Sequence, residues 1–181
     1  MAKDCTTEKT AQRQEWIENA LLELMLETTF DQITVTHLCR RLGLGRRSFY
    51  RYFSDLEDVL DSAMNRLFQQ MAITNRMPEL EEIRDNYRFW LERRNVLDAL
   101  NRSGMLDRLF VYLLRYSDPD IIRNYLNPQA QNTGLIREAG MFAIGGSMAL
   151  IISWYEGGFV KSPEEMANIV YQMLYQPILT R

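Results

Sequence analysis

The chain has 181 residues, a formal net charge of −3, 46% hydrophobic and 25% charged residues, 9 Gly and 5 Pro. That length fits about one domain, or a small module joined to a larger one, at a prior of roughly 150 residues per domain. The composition is that of a packed protein and excludes a disordered or fibrous chain, while the length speaks against a multidomain enzyme.

A net charge of −3 and a pI near 5.3 exclude a uniformly basic nucleic-acid coat but leave room for a local basic patch. The lysines are Lys3, Lys9 and Lys161, so 18 of the 21 basic residues are arginine. That bias favours planar, bidentate partners such as carboxylate or phosphate. Cys5 and Cys39 lie 34 residues apart with no companion Cys or His, which supports neither a disulfide framework nor a zinc site and fits a reducing cytoplasm. The first residues carry no apolar segment of a secretion signal. From Ala139 to Tyr155 no residue is charged, a run of 17 that reaches the lower limit of a bilayer span; its glycines and serines and the lack of a basic flank favour a buried helix and no membrane.

Apolar residues recur at three- and four-residue intervals almost throughout, which predicts an all-α protein. A first helix is expected from about Thr7 to Thr28, burying Ile17, Ala20, Leu21, Leu24 and Met25. After a polar turn, Thr34 caps a second helix with Val35, Leu38, Cys39 and Leu42 inward, and Gly43 ends it in the left-handed conformation. A third short helix turns Phe49 and Phe53 inward. A fourth starts near Asp55, with Val59, Leu60, Ala63, Met64, Leu67, Phe68 and Met71 as its stripe. Pro78 marks the next start, with Glu79, Glu81 and Glu82 in the first turn and Ile83, Tyr87, Trp90 and Leu91 as core. Breaks follow at Ser103-Gly104, Asp118-Pro119 and Asn127-Pro128, separating short helices that carry Phe110, Tyr112, Tyr116 and Tyr125. A long helix ends at Gly157-Gly158, and Ser162-Pro163-Glu164-Glu165 opens the last one as a capping box.

Between Gln32 and Ser54 there are five arginines, at 40, 41, 46, 47 and 51, and no acidic residue. This all-basic window falls on a helix, tight turn, helix unit whose outward face adds Thr36, His37, Ser48, Tyr50 and Tyr52. Arginine neutralises phosphate and reads guanine through two hydrogen bonds, and hydroxyls fix register on the backbone. A solvated charged face is the alternative reading of the same window. His37 is read as a phosphate neighbour or a plain surface residue, and Cys39 as a small buried hydrophobe.

The segment ITVTHLCRRLGLGRRSFYRYF resembles the N-terminal DNA-binding domain of the TetR family of bacterial transcriptional regulators, with Ile17, Ala20, Phe30, Thr34, Gly43-Leu44-Gly45 and Ser48-Phe49-Tyr50-Arg51-Tyr52-Phe53 carrying the likeness. It is strong over the first 60 residues or so. The resemblance implies that the helix from Thr34 to Leu42 supports, that the helix from Arg46 to Tyr52 enters the major groove, and that Thr34, Ser48, Tyr50 and Tyr52 touch DNA. Gly145-Gly146, Trp154, Gly157 and Ser162-Pro163-Glu164-Glu165 are similar to the effector-binding and dimerisation region of smaller members. Three positions depart from the family pattern: Gly45 replaces a capping serine, Thr29 replaces a glycine, and Leu56 replaces a lysine that meets phosphate.

The expected architecture is therefore all-α, with a three-helix helix-turn-helix DNA-binding domain over 1–54 and a helical effector-binding and dimerisation domain over 55–181. The expected DNA-binding residues are Thr34, Thr36, His37, Arg46, Arg47, Ser48, Tyr50, Arg51 and Tyr52. Trp90, Phe110, Tyr112 and Phe142 are either core material or the lining of an apolar effector cavity. Ala139, Ala143 and Ser147 recur every four residues, and together with Met148, Ile151, Ile152 and Tyr155 they are expected to build a homodimer with the last helix, Pro163 to about Gln176. No phosphate-binding loop, nucleophile elbow, HExxH or paired-Cys motif is present, so neither an enzyme nor a cofactor is expected. The expected function is promoter binding in a bacterial cytoplasm, most simply as a repressor of operator DNA under a small-molecule effector. The alternative is a TetR-like protein-binding coactivator or orphan scaffold with weakened DNA binding.

Overall fold

A computed structural model describes residues 8–71, 78–116 and 136–175, without the side chains of 116, 136–141, 143 and 144. Cys5, Tyr125 and the expected breaks at Asp118-Pro119 and Asn127-Pro128 lie outside the described residues. All regular elements among the described residues are helical: α1 (Glu8–Glu27), α2 (Val35–Leu42), α3 (Arg46–Phe49), α4 (Leu56–Gln69), α5 (Leu80–Glu92), α6 (Arg94–Arg102), α7 (Arg108–Tyr116), α8 (Ile136–Glu156) and α9 (Pro163–Tyr175). The all-α expectation holds.

The chain divides into two compact units, Met1–Phe68 with Asn95–Asp107, and Gln69–Arg94 with Arg108–Arg181. The first unit thus extends beyond residue 54, through α4, and takes in most of α6. In it α1 buries Ile17, Ala20, Leu21, Leu24 and Met25, and α4 buries Leu56, Val59, Leu60, Ala63, Met64, Leu67 and Phe68. Each such large side chain contributes about 1.5–3 kcal/mol on leaving water. From α6 come Val96, Leu97, Ala99 and Leu100, and Met105 follows after a turn in which Gly104 takes φ 65°. Ser103 in that turn accepts the Phe30 amide at 3.0 Å, which ties the start of the segment before α2 to the end of α6.

Two polar side chains of α1 also turn inward, Gln14 and Glu18. Glu18 Oε2 accepts from Arg66 Nε at 2.7 Å, while Oε1 accepts from the Ser62 hydroxyl at 2.6 Å and Arg66 Nη2 at 3.2 Å. Both lone-pair sets of the carboxylate are engaged by α4, which a buried charge requires.

In the second unit α5 packs along α9 and α7 along α8. The glutamates after Pro78 form a capping box in which the Glu79 amide donates to Glu82 at 2.8 Å. Ile83, Tyr87 and Trp90 are buried as expected, but Leu91 is exposed; it lies one residue past the inward-facing Trp90, off the stripe that meets α9. Trp154 of α8 sits edge-on to Tyr87 at 5.2 Å and donates through Nε1 to the Lys161 carbonyl at 2.8 Å. The predicted box at the start of α9 is present, Ser162 N donating to Glu165 at 2.7 Å and Glu165 N to Ser162 Oγ at 3.1 Å. Among the described residues no helix is long and apolar enough to cross a membrane.

Candidate nucleic-acid interface

The helix-turn-helix geometry follows from three local choices. Thr34 takes an extended backbone and its hydroxyl accepts the His37 amide at 3.1 Å, so α2 starts where a capping side chain can start it. Gly43 takes φ 59° and ψ 29°, and the amides of Gly43 and Leu44 return to the Arg40 and Cys39 carbonyls at 3.2 and 2.9 Å. An L side chain would be strained at that φ, so glycine makes the turn tight. Gly45 then opens α3 without a side-chain cap.

The α-helical part of α3 ends at Phe49 rather than Tyr52. The chain stays coiled beyond it, since Tyr52 N and Phe53 N both return to the Phe49 carbonyl, at 2.8 and 3.1 Å. With no cap at Gly45 and only one turn of helix, the last turn relaxes into a tighter one. Leu38, Cys39, Phe49 and Phe53 anchor the unit from inside, with the two phenylalanine rings 6.1 Å apart. Burial pushes the Cys39 thiol up in pKa, while the nearby Arg46 charge draws it partly back.

The outer face carries the residues expected from the sequence. Thr34, Thr36, His37, Arg40, Arg41, Arg46, Arg47, Tyr50 and Arg51 are exposed, and Ser48 and Tyr52 are half-buried. Two of the arginines lie against aromatic rings: Arg46 stands 5.8 Å from the Tyr50 centroid and Arg51 5.6 Å from that of Tyr52. Arg46 Nη2 also donates to the Tyr50 hydroxyl at 3.3 Å. That hydroxyl is the first cause of a raised Arg46 pKa.

The acids just outside the basic window pair with it or cap the helix that follows, a pairing not expected from the sequence. Glu27, at the end of α1, takes Arg41 bidentately at 2.7 and 3.3 Å. At the start of α4, Asp55 Oδ1 accepts the Asp58 amide at 2.8 Å, and Asp58 Oδ2 accepts the Ser54 amide and hydroxyl at 2.9 and 3.1 Å. The i, i+3 spacing of Asp55 and Asp58 and the Ser54-to-Asp58 spacing were the available signals, since these are the spacings of helix caps. Leu56 corrects an expectation. It is only 9% exposed and faces the core of its unit, so it does not stand on the outer face as a missing cation. Asp55 and Glu57 flank it outside.

The residues expected in the second unit are placed less uniformly. Trp90 and Tyr112 are core, Phe110 is half-buried, and Phe142 is 84% exposed. Phe142 is thus turned to solvent in the single chain, and Trp90 is sealed in the packing between helices. Phe110 approaches α8 closely, its Cε2 lying 3.6 Å from where a Cβ on Gly145 would stand. Of the residues expected at a dimer surface, Met148 and Ile151 are already buried inside the protomer, which removes the apolar area they were expected to expose. Ser147, Ile152 and Tyr155 are half-buried, and the side chains of Ala139 and Ala143 lie outside the described residues. Among the described side chains of α8 the exposed positions are Phe142, Gly146, Ala149, Ser153 and Glu156.

No family model matches the chain, and no curated protein does. Several solved structures share its fold. The chain is similar to DhaS, a dihydroxyacetone kinase operon activator, at 15% identity and TM-score 0.62, over 89% of this chain and 93% of that one. It is similar to a TetR/AcrR-family transcriptional regulator from Thermobifida fusca YX-ER1 at 17% identity and TM-score 0.55, over 93% of this chain and all of the other. The fatty acid degradation regulator FadR from Bacillus halodurans matches at 16% identity and TM-score 0.53, over 98% and 100% of the two chains. The chain has the fold of TetR-like regulators.

Proposed function

We propose that the chain is a transcriptional regulator that binds double-stranded operator DNA through the outer face of α2 and α3. The observation that carries this reading is the exposed group Arg40, Arg46, Arg47 and Arg51 beside the hydroxyls of Thr34, Thr36 and Ser48, on a unit whose inner face is anchored by Phe49 and Phe53. A helix-turn-helix needs both: cations and hydroxyls for phosphate, and a rigid support for groups that read base edges. The fold it shares with named regulators agrees with this role. The protein acts as a homodimer on an inverted repeat, since one short basic face gives weak binding and two-fold symmetry doubles it. It represses in a bacterial cytoplasm, and a small-molecule effector bound in the second unit releases it, with Phe110 beside α8 as the best-placed aromatic. The test is binding to the chain's own upstream DNA at two salt concentrations, with footprinting. Protection of a near-palindrome with half-sites about 34–36 Å apart is expected; salt-independent binding, or a footprint without inverted symmetry, would overturn the reading.

A second reading, a protein-binding coactivator with little DNA affinity of its own, draws on a specific observation. The start of α4 presents Asp55 and Glu57 rather than a cation, and one of the five arginines is held by Glu27. DhaS, of the same fold, is named an activator. Absence of salt-dependent DNA binding by the isolated dimer would favour this role.

A further inference from the structure

Arg46 and Tyr50 stand four residues apart, one above the other on the outer face. From the core outward the contacts run from Phe53 to Phe49, rings 6.1 Å apart, then to Tyr50, edge-on to Phe49 at 5.3 Å, and from the Tyr50 hydroxyl to Arg46 Nη2 at 3.3 Å. Phe49 is fully buried while Tyr50 is 45% exposed, so the Tyr50 ring leans on a core residue by an edge contact and its hydroxyl stands at the surface. A guanidinium has five N–H donors in a fixed fork. The Tyr50 hydroxyl takes one, and the pairs needed for a bidentate contact stay available.

We propose that Arg46 and Tyr50 form one reading unit, in which the Tyr50 hydroxyl positions the Arg46 guanidinium to recognise a guanine in the major groove. The inference rests on the DNA-binding reading above and names the residue that sets its specificity. Arg46 is the first residue of α3, and the N-terminal residues of a recognition helix are those that reach base edges. A phosphate needs only a point charge, whereas guanine N7 and O6 are matched best by two donors held at one orientation, which the planar guanidinium fork supplies and a flexible ammonium does not. Partial immobilisation by Tyr50 before DNA arrives lowers the side-chain freedom lost on binding. Arg41 cannot serve in this way, because Glu27 already occupies its fork. Tyr50 is thus a positioning residue and Arg46 the reader.

The test compares wild type, Tyr50→Phe and Arg46→Lys on sites selected from random-sequence DNA, each at two salt concentrations. Wild type should select guanine at one position of each half-site. Arg46→Lys keeps the charge and the salt slope but should lose about 5- to 150-fold of discrimination at that base. Tyr50→Phe keeps the ring and should lose about 2- to 10-fold at the same base only, the worth of one net hydrogen bond, with the salt slope unchanged. A lesion that merely loosened the fold would weaken all sequences alike. Full guanine preference in Tyr50→Phe, or in Arg46→Lys should Tyr50→Phe melt early, would overturn the pair while leaving DNA binding intact. Wild type without DNA binding would overturn both.

Discussion

Glu18 of α1 and Arg66 of α4 form an ion pair in which the glutamate side chain is 2% exposed and the arginine side chain 30%, joined at 2.7 Å. Ser62 supports the same carboxylate from one turn earlier on α4, and Glu15 lies 3.7 Å from Arg66 on the solvent side. The contact ties α1 to α4 within the first unit. A buried carboxylate with defined hydrogen-bond partners favours one register of the two helices over its neighbours.

Removing Arg66 leaves a buried carboxylate without its cation. Arg66→Ala should therefore cost about 2–4 kcal/mol in urea unfolding, somewhat below the roughly 3–5 kcal/mol of a fully buried pair because Arg66 is partly solvated. Replacing both partners, Glu18→Leu with Arg66→Met, should recover most of that loss, since apolar groups of similar size fill the same space. A double variant as unstable as Arg66→Ala would mean that packing, and not the unpaired charge, sets the cost.

The Glu27–Arg41 pair makes a prediction about the basic face. Arg47→Ala should flatten the slope of log K against log salt by about 0.9 for each phosphate that is no longer neutralised. Arg41→Ala should flatten it less, because Arg41 is already neutralised within the chain. Glu27→Gln frees Arg41, and the dimer should bind DNA more tightly with a steeper slope. Equal slopes for the Arg41 and Arg47 variants would show that Glu27 releases its partner on binding.

Leu56 separates the two functional readings less sharply than its position in the sequence suggests. As a residue 9% exposed in the first turn of α4, it contributes apolar burial beside Val59 and Leu60. Leu56→Lys should lower thermal stability by about 1–3 kcal/mol, the cost of withdrawing a buried leucine and stretching a lysine stem toward water. No steepening of the salt slope should accompany it. A tighter, more salt-sensitive complex would place position 56 on the phosphate after all.

The residues that were legible in the sequence are those whose role is local. Thr34, Gly43 and the Ser162-Glu165 box announce caps and turns through side-chain chemistry that acts within four residues, and the stripes of α1 and α4 announce burial through their period. Glu18, Glu27 and Ser103 were not legible, because their partners lie 48, 14 and 73 residues away and nothing in a helical period marks an inward acid. The rotation of α8 was hidden for a related reason. Nearly every position from 139 to 155 is apolar or small, so the pattern has no polar face to orient it; among the described side chains, the burial of Met148, Ile151 and Trp154 does that.

The exposed stripe of α8 offers the final test, of the proposed homodimer. Phe142, Gly146, Ala149 and Ser153 run along the outward face without a charge until Glu156 at the end of the helix, whereas a helix in water normally spreads charges along such a face. A hypothetical Cβ on Gly146 meets nothing within 4 Å inside the protomer. Gly146→Ala should therefore stabilise the isolated protomer by about 0.5–1 kcal/mol through helix propensity alone. If two copies approach along this face, the added methyl falls where their backbones meet, and the same substitution weakens the dimer. Ala149→Arg places a charge at the centre of the stripe and should give monomers that no longer bind operator DNA. Sedimentation velocity across a concentration series checks both variants. A Gly146→Ala protein that is more stable and equally dimeric, together with a dimeric Ala149→Arg, would move the interface off α8.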